Sequence, residues 1–197
     1  FTERPYRWLP EELILKNRAF FAISNEHFDR EKAADDYNYY LDEYCYAEDL
    51  GFEVGMFAGS VGSLSVLGAP DLIVLTLTEF AQQAYRICRA GDLALLVDAD
   101  HGYGNALNLM RAVREFESAG LAGIFFEDQT FPKRCGHFEG KQVIAVEEMT
   151  VKIKAACETR RDDDFVIIAR TDSRALHGLD HAIERGKAFA EAGADLV

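Results

Sequence analysis

The spacing of apolar residues switches repeatedly between two periods along this chain. Short strand-like runs (Leu93 to Val97, Gly123 to Phe126, Phe165 to Ala169) alternate with stripes at helical spacing. The stripes are Phe80, Ala84, Ile87 and Cys88; then Leu109, Val113 and Phe116; then Met149, Ile153, Ala156 and Cys157; then Leu179, Ile183, Gly186 and Ala190. Thr76-Leu77-Thr78-Glu79 has the spacing of a capping box and predicts where the first of these helices starts. Three helices that feed strands end alike, at Gly51, Gly120 and Gly193, because glycine just past the last turn takes the left-handed conformation that reverses the chain. Strands are predicted near 20–24, 53–58, 93–97, 123–127 and 165–170, with a sixth starting at Asp195-Leu196-Val197. The unit recurs every roughly 30 to 40 residues, as strand–helix modules do.

This is an α/β pattern. A closed eight-stranded β/α barrel needs about 250 residues, and the 197 residues here stop where a sixth strand begins. Either the sheet is open or the last units of a barrel are missing. Residues 1–197 are read as one domain with an atypical segment over 1–50. There the acidic, tyrosine-rich stretch from Asp35 to Tyr44 puts Tyr37, Tyr40, Leu41 and Tyr44 at helical spacing, predicting a surface or oligomer-facing helix.

Composition narrows the function. A hydrophobic fraction of 49% and a charged fraction of 28% describe a globular protein. The formal net charge of −13 argues against a nucleic-acid or anionic-membrane surface, although a metal and a few cations can reverse the field locally for a small anion. Cys45, Cys88, Cys135 and Cys157 form no CxxC pair and point to a reducing, cytoplasmic setting. Because the chain starts at Phe1, an organellar targeting segment stays open. No apolar run approaches the roughly 18 residues of a membrane helix.

The three strand-like runs share a further property: each ends in charge. They lead into Asp98-Ala99-Asp100, Glu127-Asp128 and Arg170-Thr171-Asp172, gathering these groups at the carboxyl end of a parallel sheet, where chemistry sits in such folds. Asp98 and Asp100 are two residues apart and project to one side of an extended chain, a pairing suited to Mg²⁺ or Mn²⁺. Glu127 and Asp71 complete an acidic cup; a helix cap or strand-end salt bridge is the competing reading. Lys133-Arg134-Cys135-Gly136-His137 lies in the loop after Glu127. Cationic neighbours lower a thiol's pKa and His137 can exchange a proton with it, so Cys135 is a candidate acid or nucleophile, against an ordinary surface cysteine. The other three cysteines lie in helical patterns and read as core. Arg170, at the end of an apolar strand, either binds a substrate carboxylate or pairs with Asp172 or Glu127. Ala58-Gly59-Ser60 opens a small-residue loop whose backbone amides can hold a carboxylate or phosphate. His101 would line the site beside the aspartates, while His177 and His181 read as solvated.

From about Gly51 to Val197 these pieces, with Gly68-Ala69-Pro70-Asp71, Asp98 through Asn105 and Glu127-Asp128-Gln129, resemble the isocitrate lyase and phosphoenolpyruvate mutase superfamily. The Lys-Arg-Cys-Gly-His loop is most similar to its carbon–carbon lyases of the 2-methylisocitrate and dimethylmalate type. The resemblance implies a (β/α)₈ TIM-type barrel, of which this chain covers roughly the first five to six units. It implies Mg²⁺ held by Asp98 and Asp100 with Asp71 and Glu127. Ala58, Gly59, Ser60, Cys135, Gly136 and Arg170 would form the substrate site, with Cys135, His137 and Arg170 catalytic and a homo-oligomeric assembly. The implied reaction cleaves a small 2-hydroxy di- or tricarboxylate to pyruvate or glyoxylate, with Cys135 as general acid. Ala58, where serine is usual, and the His101-Gly102-Tyr103 run are closer to the oxaloacetate decarboxylase branch, so decarboxylation or hydrolysis of oxaloacetate is the alternative. A truncated, non-catalytic barrel is the third.

Overall fold

The computed structural model describes residues 19–21, 42, 44–57, 75–134 and 139–197. Within them run β1 (Ala19–Phe21), β2 (Val54–Phe57), α1 (Leu77–Cys88), β3 (Ala94–Asp98), α2 (Ala106–Ser118), β4 (Gly123–Glu127), α3 (Val146–Thr159), β5 (Val166–Arg170), α4 (Arg174–His177) and α5 (Leu179–Glu191). Residues 44–49 are helical as well. The helix boundaries follow local chemistry. At Thr76 the capping box forms, its hydroxyl accepting from the Glu79 N–H while the Glu79 carboxylate accepts from the Thr76 N–H. Asn105 caps α2 in the same reciprocal way with Asn108, a start that the sequence pattern did not announce. The three terminating glycines take φ of +83° at Gly51, +91° at Gly120 and +108° at Gly193, as expected of left-handed helix ends.

Among the described residues the strands form one parallel sheet in the order β1-β2-β3-β4-β5. Each new strand is added beside the last, the progression of a β/α barrel; a doubly wound sheet reverses direction partway. The progression continues past β5, where Leu196 forms a parallel bridge to Ile168, at the place predicted for a sixth strand.

Alternation along the strands sorts the side chains. Leu95 and Val97, Ile124 and Phe126, and Ile167 and Ala169 are buried and merge with Leu109, Val113, Phe116, Met149, Ile153 and Phe189 of the helices into one core. The intervening residues Leu96, Asp98, Phe125, Glu127, Ile168 and Arg170 therefore lie on the other face, which would be the inside of a barrel. Register links them across strands: Asp98 is level with Phe125, Phe125 with Ile168, and Glu127 with Arg170. Gly123 sits level with Val166 of β5, in a place with no room for a side chain. A Cβ built there would lie 2.4 Å from the Val166 carbonyl oxygen and 2.9 Å from Leu96 Cδ2.

One sequence expectation fails at the start of the sheet. Tyr44, assigned to a surface or oligomer-facing helix, is buried, and its hydroxyl donates to the Leu93 carbonyl oxygen at 2.6 Å. The polar tip finds an acceptor just before the start of β3, so the ring can enter the core. Tyr37, Tyr40 and Leu41 lie outside the described residues. No helix among the described residues is long and apolar enough to cross a membrane.

Candidate active site

The carboxyl ends of β3, β4 and β5 bring Asp98, Glu127 and Arg170 to one rim on the helix-free face. Asp100 joins them by a different route from the one expected. The period-two argument requires extended backbone, and β3 stops at Asp98. Asp100 instead takes a left-handed φ of +52°, and its N–H donates to Asp98 Oδ1 at 2.9 Å. Tyr103, three residues on, is also left-handed at +61°. Such a conformation costs a non-glycine residue about 1–2 kcal/mol, and the surrounding bonds offset it. The Ala99 N–H donates to the Phe125 carbonyl, Gly102 to Ala99, and Glu127 to Asp100, each at 2.8 Å. From below, the buried Lys152 ammonium of α3 donates to the His101 carbonyl.

The rim is short of positive charge. Burial, then the neighbouring Asp100, pushes the Asp98 carboxyl up to about 6. Burial, then Asp98, pushes Glu127 up to about 8. Glu127 Oε2 is buried without a hydrogen-bond partner, and Arg170 NH1, at 3.7 Å, is beyond hydrogen-bond range. The Lys133 ammonium pairs with Asp100 Oδ1 at 2.6 Å. Among the described residues no three His, Cys, Asp or Glu side chains are grouped closely enough to hold a metal ion by themselves. The donor set nevertheless fits a hard divalent ion: the ligands are carboxylate oxygens, one is orphaned, and their mutual repulsion is what a cation relieves. Mg²⁺ usually keeps several waters and takes only a few protein oxygens, so an open arrangement suits it.

Arg170 occupies the position its sequence context suggested and also makes the ion pair named there as its alternative. Its Nε and NH2 donate to Asp172 Oδ1 at 3.1 and 2.9 Å, which fixes the plane of the guanidinium while 36% of the side chain stays exposed. Asp128, next to Glu127, has opposite parity and points into the helix side. There it is fully buried and accepts from Arg185 Nε at 2.8 Å, the Thr171 hydroxyl at 2.6 Å and the Asp172 N–H at 3.0 Å.

His101 is buried beside the aspartates, its ring stacked on Phe131 at 5.5 Å, and burial, with Lys152 and Lys133 nearby, pushes its pKa down to about 4. His177 is exposed as expected, but His181 is half-buried, their rings 4.7 Å apart. Cys45 and Cys157 are half-buried and donate to the Ala90 and Gly193 carbonyls at 3.1 Å, in the turns that follow α1 and α5. Ala58, Gly59, Ser60, Asp71, Cys135, Gly136 and His137 lie outside the described residues.

Three contributors do not stand out in the sequence. Lys133 shows there only as a neighbour of the thiol, yet it pairs with Asp100. Lys152 leaves a usable signal, since a lysine between Met149, Ile153 and Ala156 sits inside an apolar stripe. Gln129, buried to 2% exposure, leaves none, because an amide after a strand is unremarkable in composition.

Comparison with known proteins adds the following. The family model for phosphoenolpyruvate phosphomutase matches residues 45–197. An oxaloacetate decarboxylase of Rhodopseudomonas palustris (strain BisB18) is 54% identical over 151 residues, covering 77% of this chain and 52% of that protein. A 2,3-dimethylmalate lyase of Eubacterium barkeri is 50% identical over 148 residues, covering 75% and 51%. Among solved structures, a 2,3-dimethylmalate lyase of the PEP mutase/isocitrate lyase superfamily aligns with TM-score 0.73 and 30% identity over 92% of this chain and 59% of that one. A phosphonopyruvate hydrolase in complex with oxalate and Mg²⁺ aligns with TM-score 0.70 and 30% identity over 95% and 62%. The chain spans about half the length of the curated relatives it matches.

Proposed function

Because the chain belongs to the phosphoenolpyruvate phosphomutase family and carries consecutive strands of that superfamily's β/α barrel, we propose that it forms the metal- and carboxylate-binding part of a Mg²⁺-dependent lyase. The substrate is a small 2-hydroxy di- or tricarboxylate of the dimethylmalate or methylisocitrate type, cleaved to pyruvate or glyoxylate plus a carboxylic acid. The observation that carries this reading is the level pair Glu127 and Arg170 beside Asp98 and Asp100 at the strand ends.

Asp98, Asp100 and Glu127, with Asp71, would hold the ion (Mn²⁺ in place of Mg²⁺ is compatible with the same oxygens). When bound, it supplies Lewis-acid neutralisation of negative charge developing on the substrate's oxygens. The backbone amides of Ala58, Gly59 and Ser60, with Gly136, seat one carboxylate. Arg170, held in plane by Asp172, takes another with its remaining N–H groups and stabilises the charge that builds as the bond breaks. A base removes the 2-hydroxyl proton, the C2–C3 electron pair leaves with the departing acid as an enolate, and the Cys135 thiol, exchanging protons with His137, protonates that carbon. The same reading carries a homo-oligomer and a cytoplasmic location.

Oxaloacetate decarboxylation or hydrolysis is the second reading. Ala58 and the His101-Gly102-Tyr103 run favour it, as does the 54% identity to an oxaloacetate decarboxylase. One assay on the full-length protein separates the two: release of pyruvate, glyoxylate or oxalate from dimethylmalate, methylisocitrate, isocitrate and oxaloacetate, with and without EDTA. The first reading expects EDTA-sensitive turnover of a 2-hydroxy acid, lost in Cys135→Ser. Turnover of oxaloacetate alone, surviving Cys135→Ser, replaces it with the second. Inactivity on all four substrates overturns both in favour of a non-catalytic barrel.

A further inference from the structure

The loop between β4 and α3 is closed at its base by backbone pairing. Gln129 and Val143 form an antiparallel bridge, the Thr130 N–H donates to the Gln142 carbonyl at 2.9 Å, and the Ile144 N–H donates to the Asp128 carbonyl at 2.9 Å. Inside this base the Gln129 side chain makes a second tie. Its Oε1 accepts from the Arg134 N–H at 2.9 Å, and its Nε2 donates to the Arg134 carbonyl at 2.9 Å. Both polar groups of one backbone unit are thus held by one side-chain amide, as a neighbouring strand would hold them. The same Nε2 donates to Asp172 Oδ2 at 2.6 Å, with Glu127 Oε1 a longer third acceptor at 3.4 Å, and Asp172 is the carboxylate that fixes Arg170. With only 2% of Gln129 exposed, the amide's two hydrogens and its oxygen are all committed.

We propose that Gln129 is a positioning residue that registers Arg134, the residue preceding Cys135 in the sequence, against the Arg170–Asp172 pair. Its role does not lie in touching the reacting atoms. A side-chain amide has the geometry that such a tie needs. It is uncharged, presents a donor and an acceptor side by side, and is long enough to span from the end of β4 to the loop. Aspartate or glutamate would supply acceptors only and would repel Asp172 and Glu127. The inference deepens the lyase reading and depends on that reading for its catalytic meaning, whereas the tie itself does not.

The test uses the full-length protein and the rate of alkylation by iodoacetamide, resolved by peptide mapping at Cys135 and, as an internal control, at Cys157. Gln129→Met removes the amide. Gln129→Asn keeps it but is one methylene too short, guarding against a variant that fails to fold. Without ligand, both variants are expected to raise the Cys135 rate at least fivefold while the Cys157 rate stays within twofold of wild type. A Cys135 rate within twofold of wild type in both variants overturns the proposal. So does a parallel rise at Cys157, which would make Gln129 ordinary packing. Separately, calorimetry of oxalate binding with Mg²⁺ in wild type and Arg170→Ala tests the site: Arg170-independent oxalate binding sinks the lyase reading and leaves the alkylation result to judge Gln129 alone.

Discussion

Asp128 is the residue with most at stake, since its carboxylate has no exposure and is held by Arg185, Thr171 and the Asp172 N–H. Arg185→Met keeps the bulk of the side chain but leaves a buried charge without its counter-ion, which costs about 3–5 kcal/mol. Urea unfolding should show that loss, and one below about 1 kcal/mol would contradict it. Tyr44 supplies a pH effect whose sign follows from its surroundings. Burial, then the nearby Cys88 and Glu48, pushes the phenol well above its ordinary value, so the folded chain favours the protonated form. That contribution is fully present below about pH 10, where the unfolded chain's tyrosine is also protonated, and is lost as pH rises beyond it because the unfolded chain ionises first. Tyr44→Phe should cost about 1 kcal/mol at pH 8 through the lost bond to Leu93 and should flatten the alkaline decline in urea midpoint; an unchanged decline would exclude Tyr44 as its source. Legibility at this scale divides by type of cue. Asp98, Glu127 and Arg170 are readable because charge at the end of an apolar strand is anomalous. Gln129 is not, since its meaning lies in partners several residues away or across the sheet.

Elements are readable where a local rule ends them. The Thr76 capping box and the glycines at 51, 120 and 193 appear where spacing places them. The Asn105 cap escapes notice because Asn108 stands where a glutamate would announce it. Strand order is unreadable, because period reports the type of an element and not its neighbour. The crowding around Gly123 is likewise hidden in the sequence and visible in the structure. Gly123→Ala would drive a methyl group into the Val166 carbonyl oxygen and Leu96, forcing β4 and β5 apart. Overpacking of this kind costs about 1–3 kcal/mol or more. Gly186→Ala is the control, meeting only Val197 Cγ1 at 3.2 Å on a helix, where alanine is favoured. Thermal melting should rank Gly123→Ala well below Gly186→Ala, and equal melting temperatures would mean that β4 and β5 are looser than described.

For the whole molecule the net charge of −13 sets a background repulsion that opposes compaction. Raising salt from 0.01 to 0.1 M shortens the screening length from about 30 Å to about 10 Å, so the melting temperature should rise by a few degrees. A fall would show that attractive pairs outweigh the excess of acid. The choice between open sheet and partial barrel, undecided by residue count, is resolved by the sequential strand order. Opposite parity gives the adjacent carboxylates of Glu127 and Asp128 different occupations, one turned to the rim and the other clamped by Arg185 on the helix side. Alternation along a single strand thus acts as a partition between workshop and foundation. Mutational drift on the rim can redirect the chemistry without disturbing the masonry behind it, whereas a one-residue slip of β4 would exchange the two and forfeit both at once.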